Sequence, residues 1–223
     1  MPFWKRKPTT KVVGKQSVGR FYGVLALCPI KKQSPEGVDR SPEARLRETL
    51  AGLSLNEDSF FARVPGTYLA RLYVLTDVFY EGKGDYEHLK SQYLVLTANV
   101  HGNRDSYAKD MWKHAEDEVR SIWQNCVAFD DVDSAGAFAR YIKKCQVKNS
   151  LLFNGSTDQP VEEQLKGLYL KQEFGEWAAE HQGLSPADLR SEFLAFVDRA
   201  KVDDVDGPTW RPGADTLKKV QVP

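Results

Sequence analysis

The stretch from Gln92 to Val127 constrains the fold more than any other part of the chain. Tyr93-Leu-Val-Leu-Thr-Ala-Asn-Val is an apolar strand, and His101-Gly-Asn-Arg-Asp105 is a polar turn. Beyond the turn, Tyr107, Met111, Ala115, Val119, Ile122 and Cys126 recur at helical spacing, with Trp112 and Trp123 widening the same face. The pattern predicts one long helix from Asp105 to Val127, with Asp105 as its N-cap. A strand that feeds such a helix belongs to a layered α+β architecture.

Three further strands fit around it. Arg20 to Pro29 holds the near-continuous apolar run Phe-Tyr-Gly-Val-Leu-Ala-Leu-Cys, suited to a central strand over 20–28 that Pro29 ends. Tyr68 to Tyr80 alternates, with Leu69, Arg71, Tyr73 and Leu75 on one face and Ala70, Leu72, Val74 and Thr76 on the other. Val147 to Asn154 reads as a fourth strand. Ser41-Pro-Glu-Ala opens a capped helix with Leu46, Leu50 and Leu53 as its stripe, and Ser134 opens another that turns Ala137, Phe138, Tyr141 and Ile142 inward.

The order β-α-β-β-α-(α)-β is the split βαβ arrangement, so the expected fold class is α+β: a ferredoxin-like antiparallel sheet with additional C-terminal helices. The segments are a basic N-terminal arm (1–19), the α+β domain (20–155), a C-terminal helical extension (156–202) and an irregular tail (203–223). In the extension, Val161, Leu165, Leu168 and Tyr169 face one way and Leu170, Phe174 and Trp177 nearly the other. Such a helix is enclosed on two sides, or bends at Gly167 or Gly175. Ser185-Pro-Ala-Asp then caps a last helix carrying Leu189, Phe193, Phe196 and Val197. Both strands 20–28 and 92–100 are apolar on two faces, and the extension is the expected cover for the second one.

Charge and cysteine usage narrow the function classes. The net charge of zero conceals an asymmetry: Lys5, Arg6, Lys7, Lys11, Lys15, Arg20, Lys31 and Lys32 all precede the first acid, Glu36. The arm therefore suits an anionic surface or an acidic partner, unless it is a solvated tail. Nucleic acid is not an expected partner, because the body has no basic stripe and no recognised module. No apolar run is long enough to span a bilayer, and no export signal follows the first residues, so a cytoplasmic location is expected. Cys28, Cys126 and Cys145 form no C-x-x-C pair, which predicts buried structural thiols without a metal site.

The run Tyr68-Leu-Ala-Arg71-Leu-Tyr-Val-Leu, followed by Tyr93-Leu-Val-Leu-Thr, resembles the ferredoxin-like α+β barrel superfamily over roughly residues 20–155. That resemblance implies sheets paired face to face, commonly across a dimer. It brings in haem as the conceivable cofactor, through the dye-decolourising peroxidases and chlorite dismutases. The peroxidase group has a Gly-x-x-Asp-Gly element; here the nearest strings are Gly102-Asn-Arg-Asp105-Ser and Gly155-Ser-Thr-Asp158-Gln. Both lack the last glycine, and haem peroxidase activity is not carried over.

The candidate site residues lie where strands meet turns. His101, Arg71 and Asp105 are the catalytic candidates: His101 as acid, base or ligand, Asp105 to orient it, and Arg71 for a planar anion. Arg71, Tyr73, His101, Arg104 and Tyr107 are the ligand-binding candidates. The competing readings are a salt bridge from Arg71 to Asp77 or Asp105, a plain turn and cap at 101–105, and a cap by Asp158 for the helix after Pro160. No Ser/His/Asp order, phosphate loop or carboxylate pair is present. The leading expectation is a soluble protein that binds a small hydrophobic or anionic molecule or a partner protein. The alternatives are an α+β barrel enzyme linked to oxygen or peroxide and a structural subunit, with homo-oligomer formation expected.

Overall fold

Three nine-residue strands form the centre of the molecule: β2 (Phe21–Pro29), β3 (Thr67–Leu75) and β4 (Tyr93–His101). The computed structural model describes residues 16–34, 37, 39–55, 58–78, 88–155 and 158–200. The basic arm up to residue 15, part of the predicted second strand (79–80) and the irregular tail from 203 lie outside the described residues. With the two-residue β1 (Ser17–Val18), the strands make one antiparallel sheet in the order β1-β2-β4-β3. β4 is central, which explains its apolar content on both faces.

The helices are α1 (Pro42–Ala51), α2 (Arg104–His114), α3 (Glu116–Trp123), α4 (Ala135–Cys145), α5 (Val161–Glu180) and α6 (Pro186–Arg199). Helices α1 to α4 cover one sheet face. There Val24, Ala26 and Cys28 of β2 and Leu94, Leu96, Ala98 and Val100 of β4 join Leu46, Met111, Val119, Ile122, Trp123, Phe138 and Ile142 in one core. Phe138 stands edge-on to Trp123 and Phe129, with ring centroids 5.3 and 6.3 Å apart. Burial of these large aromatics is the dominant local stabilisation. Ser41 and Ser134 cap α1 and α4 as their sequences predict, accepting from the backbone N–H of Ala44 and Ala137.

Four expectations are corrected. The long helix is two helices, broken at Ala115, whose φ/ψ of −151°/43° is not helical. Lys113 and His114 end α2 and Glu116, Asp117 and Glu118 begin α3, charges that suit a C-terminus and an N-terminus respectively. The buried face continues across the break. The cap of α2 is Asn103, whose side chain accepts from the N–H of Ser106 at 3.0 Å, and Asp105 sits inside the first turn. Residues 147–154 form no strand. The backbone is tied to β2 by the Gln146–Ala26 bridge and the bond from Val147 N–H to the Leu25 carbonyl (2.8 Å), Asn149 and Leu152 lie against Gly23 through their side chains, and Leu151 and Phe153 are 86% and 82% exposed. Asp158 does not cap α5; it accepts from the Arg20 N–H at 2.7 Å and so ties the β1–β2 turn, while Pro160 opens α5 with no side-chain cap.

The C-terminal helices build a separate small cluster rather than a full cover for the second sheet face. α5 is a single unbroken helix, and its Trp177 packs with Phe196 and Ala200 of the α6 end. Ser185 caps α6 by accepting from Asp188 N–H. On the second sheet face Phe21 and Val95 are buried, yet Leu69 and Tyr73 of β3 are 46% and 45% exposed.

Candidate functional site

Among the described residues β3 is an edge strand, paired only with β4, and its outer side faces α1 and the 3₁₀ turn Phe60–Arg63. A cleft of about 470 Å³ opens between them. Leu50, Leu53, Phe60, Phe61, Ala70 and Leu72 supply apolar walls, and Ser54 and Ser59 supply hydroxyls. Arg71 and Tyr73, adjacent to the strand residues of the wall, also line it. The alternation of β3 produces this mixture: Ala70 and Leu72 pack towards the helices, and Arg71 and Tyr73 point to the exposed face. Arg71 forms no salt bridge to Asp77 or Asp105, and none to any other acid among the described residues. Asp77 is occupied elsewhere. Its carboxylate accepts from the N–H groups of Val78 and Leu89, both at 2.9 Å, and meets His88 Nδ1 at 2.7 Å. The bond from Leu89 leads these contacts in holding the Asp77 carboxyl down at about 2.

The second group of candidates sits at the other end of β4. The Tyr68 hydroxyl donates to the Gln159 carbonyl at 2.6 Å and lies 3.0 Å from His101 Nδ1. A hydroxyl has one proton, so with that proton committed to Gln159, Nδ1 is the donor and Nε2 holds the lone pair of the neutral ring. Gly66 brings the chain close: the His101 N–H donates to its carbonyl at 2.8 Å. A Cβ on Gly66 would approach the His101 carbonyl oxygen to 3.2 Å at a φ of +73°. Burial pushes the Tyr68 hydroxyl above its ordinary range, helped by the charges of Asp158 and Glu162.

The other candidates separate. Arg104 turns away from His101, pairing with Asp105 at 2.6 Å and donating to the Gln146 side chain. Asp105 therefore does not orient His101. Tyr107 is buried in the core beside Thr67, its hydroxyl pushed up to about 12 by burial. Arg71 pairs in register with Thr97, four residues from His101 along β4, which is about 14 Å at the rise of a strand. Arg71 and His101 share a face without sharing a site. Neither the β3 cleft nor the smaller one between Lys31, Glu43 and Lys90 is lined by a histidine. A haem iron would find no axial imidazole among the lining residues of either. Among the described residues no group of three His, Cys, Asp or Glu side chains is placed to hold a metal ion.

Two features were not visible in the sequence. The cleft needs α1, separated from β3 by fifteen residues (52–66), to come back to the free edge of that strand beside the 60–63 turn. Residues far apart in sequence also return to β2 on either side of Cys28, through the Ile30–Cys126 bridge and the Ala26–Gln146 bridge next to Cys145. No helix is long and apolar enough to cross a membrane among the described residues. No family model, curated protein or solved structure matches the chain. Fold and site define an antiparallel α+β sheet protein with an apolar edge cleft and one arginine at its side.

Proposed function

We propose that this chain binds a small amphipathic molecule, an apolar body with a single anionic group, in the β3 cleft. The observation that carries the reading is Arg71, a permanently charged guanidinium with no acidic partner among the described residues, set beside a wall of leucine and phenylalanine. The volume is in the range of about 300–1,000 Å³ usual for small-molecule sites. An apolar body would displace water from Leu53, Phe61 and Leu72, and its acid group would reach past the free edge of β3 to the planar fork of Arg71, which borders the cleft from the exposed sheet face.

Calorimetric titration with dodecanoate and with 1-dodecanol tests this. Dodecanoate should bind more tightly, and Arg71→Gln should weaken it by about tenfold, the scale of one partly exposed charge-assisted bond, while leaving the alcohol unchanged. Equal affinity for the acid and the alcohol in the unmodified protein, or no binding of either, overturns the reading.

A second reading, assembly with another copy, is supported by the exposed apolar surface of the C-terminal hairpin, including Leu170 and Phe174 of α5 and Phe193 and Leu194 of α6. The enzyme reading is not favoured, because its proposed residues stand apart: His101 meets Tyr68, Asp105 pairs with Arg104, and Arg71 borders the β3 cleft. We further infer a ferredoxin-like plan for the sheet and a cytoplasmic setting. The long strands stand in the order first, third, second, and Gln146 bridges β2 where a fourth strand of that plan would lie.

A further inference from the structure

The β3 cleft is bordered by four consecutive strand residues, Ala70, Arg71, Leu72 and Tyr73. Side chains alternate across a sheet, so neighbours on both faces can border one space only where it runs along the edge of the strand. Ala70 and Leu72 pack on the helix side, and Arg71 and Tyr73 stand on the exposed face. Between the two faces lies the main chain of β3 itself. Every second residue of an antiparallel edge strand turns both its N–H and its C=O away from the neighbouring strand. β3 pairs only with β4, and among the described residues no group outside that ladder bonds to the backbone of residues 69–75. A ligand whose apolar body lies against Leu53, Phe61 and Leu72 and whose acid group reaches Arg71 must cross this row of donors and acceptors. It strips water from them there, and a plain alkyl chain offers them no bond in exchange.

We propose, resting on the β3-cleft reading above, that the ligand carries a secondary amide between its apolar body and its carboxylate, and that this amide pairs with the free edge of β3. The chemical class selected is an N-acyl amino acid. Its single residue takes the place of one residue in an added antiparallel strand. The amide N–H donates to an outward carbonyl of β3. One carboxylate oxygen accepts the outward N–H of the same β3 residue, and the other turns to the guanidinium of Arg71. The amide carbonyl, trans to its N–H, points away from the strand, to the wall that carries the Ser54 and Ser59 hydroxyls. The acyl chain stays on the helix side. A free fatty acid satisfies Arg71 but leaves the outward β3 carbonyl covered and unbonded, which is the basis of the selection.

Calorimetric titration of the full-length protein compares N-dodecanoylglycine, its ester analogue dodecanoyl glycolate, which lacks only the N–H donor, and dodecanoate as the reference acid. N-dodecanoylglycine should bind about tenfold more tightly than the ester, the scale of one donor whose covered acceptor is otherwise left unpaired. Arg71→Gln should weaken both while keeping their order, because the amide bond is made to the backbone. Amide hydrogen exchange followed by NMR locates the contact: N-dodecanoylglycine should slow alternate amides of β3. Equal affinity for the amide and the ester, a preference that disappears with Arg71, or protection that misses β3 overturns the proposal while leaving the cleft as a site for apolar acids. Binding of none of the three ligands removes that reading, and this proposal with it.

Discussion

The indole Nε1 of Trp123 donates to the Sγ of Cys28 at 3.4 Å, joining α3 to β2 across almost half the chain. Both residues are fully buried, as are Val119 and Ile122 on the same helix face. Ile122→Ala should therefore destabilise the protein by about 2–5 kcal/mol, from lost transfer energy plus the cavity left behind. Lys113→Ala and Asp117→Ala, on the exposed side, should stay within about 0.5 kcal/mol. Urea denaturation midpoints check both; an unchanged midpoint for Ile122→Ala means that this face is not packed.

Gly66 and Gly167 should respond in opposite directions to alanine. At Gly66 the left-handed φ and the nearby His101 carbonyl make Gly66→Ala cost at least about 1–2 kcal/mol. Gly167 lies within α5 with nothing near its missing Cβ, so Gly167→Ala should gain about 0.5–1 kcal/mol of helix stability. Thermal melts of the two variants are the comparison. A shift of both in one direction contradicts the assigned backbone conformations.

Asp77 gives a pH test. Its carboxyl is depressed from 3.8 to about 2, so its contribution to closing the turn with Leu89 is full above 3.8 and is lost as pH falls through about 2. Carbon-detected titration of the Asp77 carboxyl by NMR should show that low midpoint, and Leu89→Pro, which removes the donating N–H, should raise it. A midpoint near 3.8 in the unmodified protein rules out these contacts in solution.

The α5–α6 hairpin supplies the test of assembly. Trp177 stacks on Phe174 with centroids 5.6 Å apart, meets Phe196 at 5.5 Å, and stacks on His181 at 5.1 Å. It is an internal residue of the hairpin, so Trp177→Glu should reduce the helical signal instead of cleanly releasing monomers. Leu170→Glu and Leu194→Glu alter exposed positions and should leave that signal intact. Light scattering should report more than the 25.2 kDa of one chain for the unmodified protein and a shift towards it in these variants. A single-chain mass at every concentration removes the assembly reading.

Periodicity and caps in the sequence by themselves determined the three long strands (the second ends at Leu75, short of the expected Tyr80), the helix starts at Ser41, Ser134 and Ser185, and the buried row from Tyr107 to Cys126. These are local properties: a strand shows its two-residue period and a helix its i, i+4 row wherever it is placed. The break at Ala115 was legible too, in the switch from Lys113-His114 to Glu116-Asp117-Glu118, but the unbroken apolar row masked it. Residues 147–154 looked like a strand because Val147, Leu151, Leu152 and Phe153 are apolar; strand formation needs a continuous ladder partner, and the backbone pairs with β2 only at Gln146 and Val147 before leaving it. The site was legible only as residue types. Arg71 and Tyr73 were recognisable as a polar and an aromatic side chain on an alternating strand, but the cleft beside them exists because β3 falls at the sheet edge and α1 returns to it. The same holds for the surroundings of Cys28. Spacing in sequence says nothing about which residues return to β2 on either side of it, and only the packing of α3 and α4 against that strand brings Cys126 and Gln146 there.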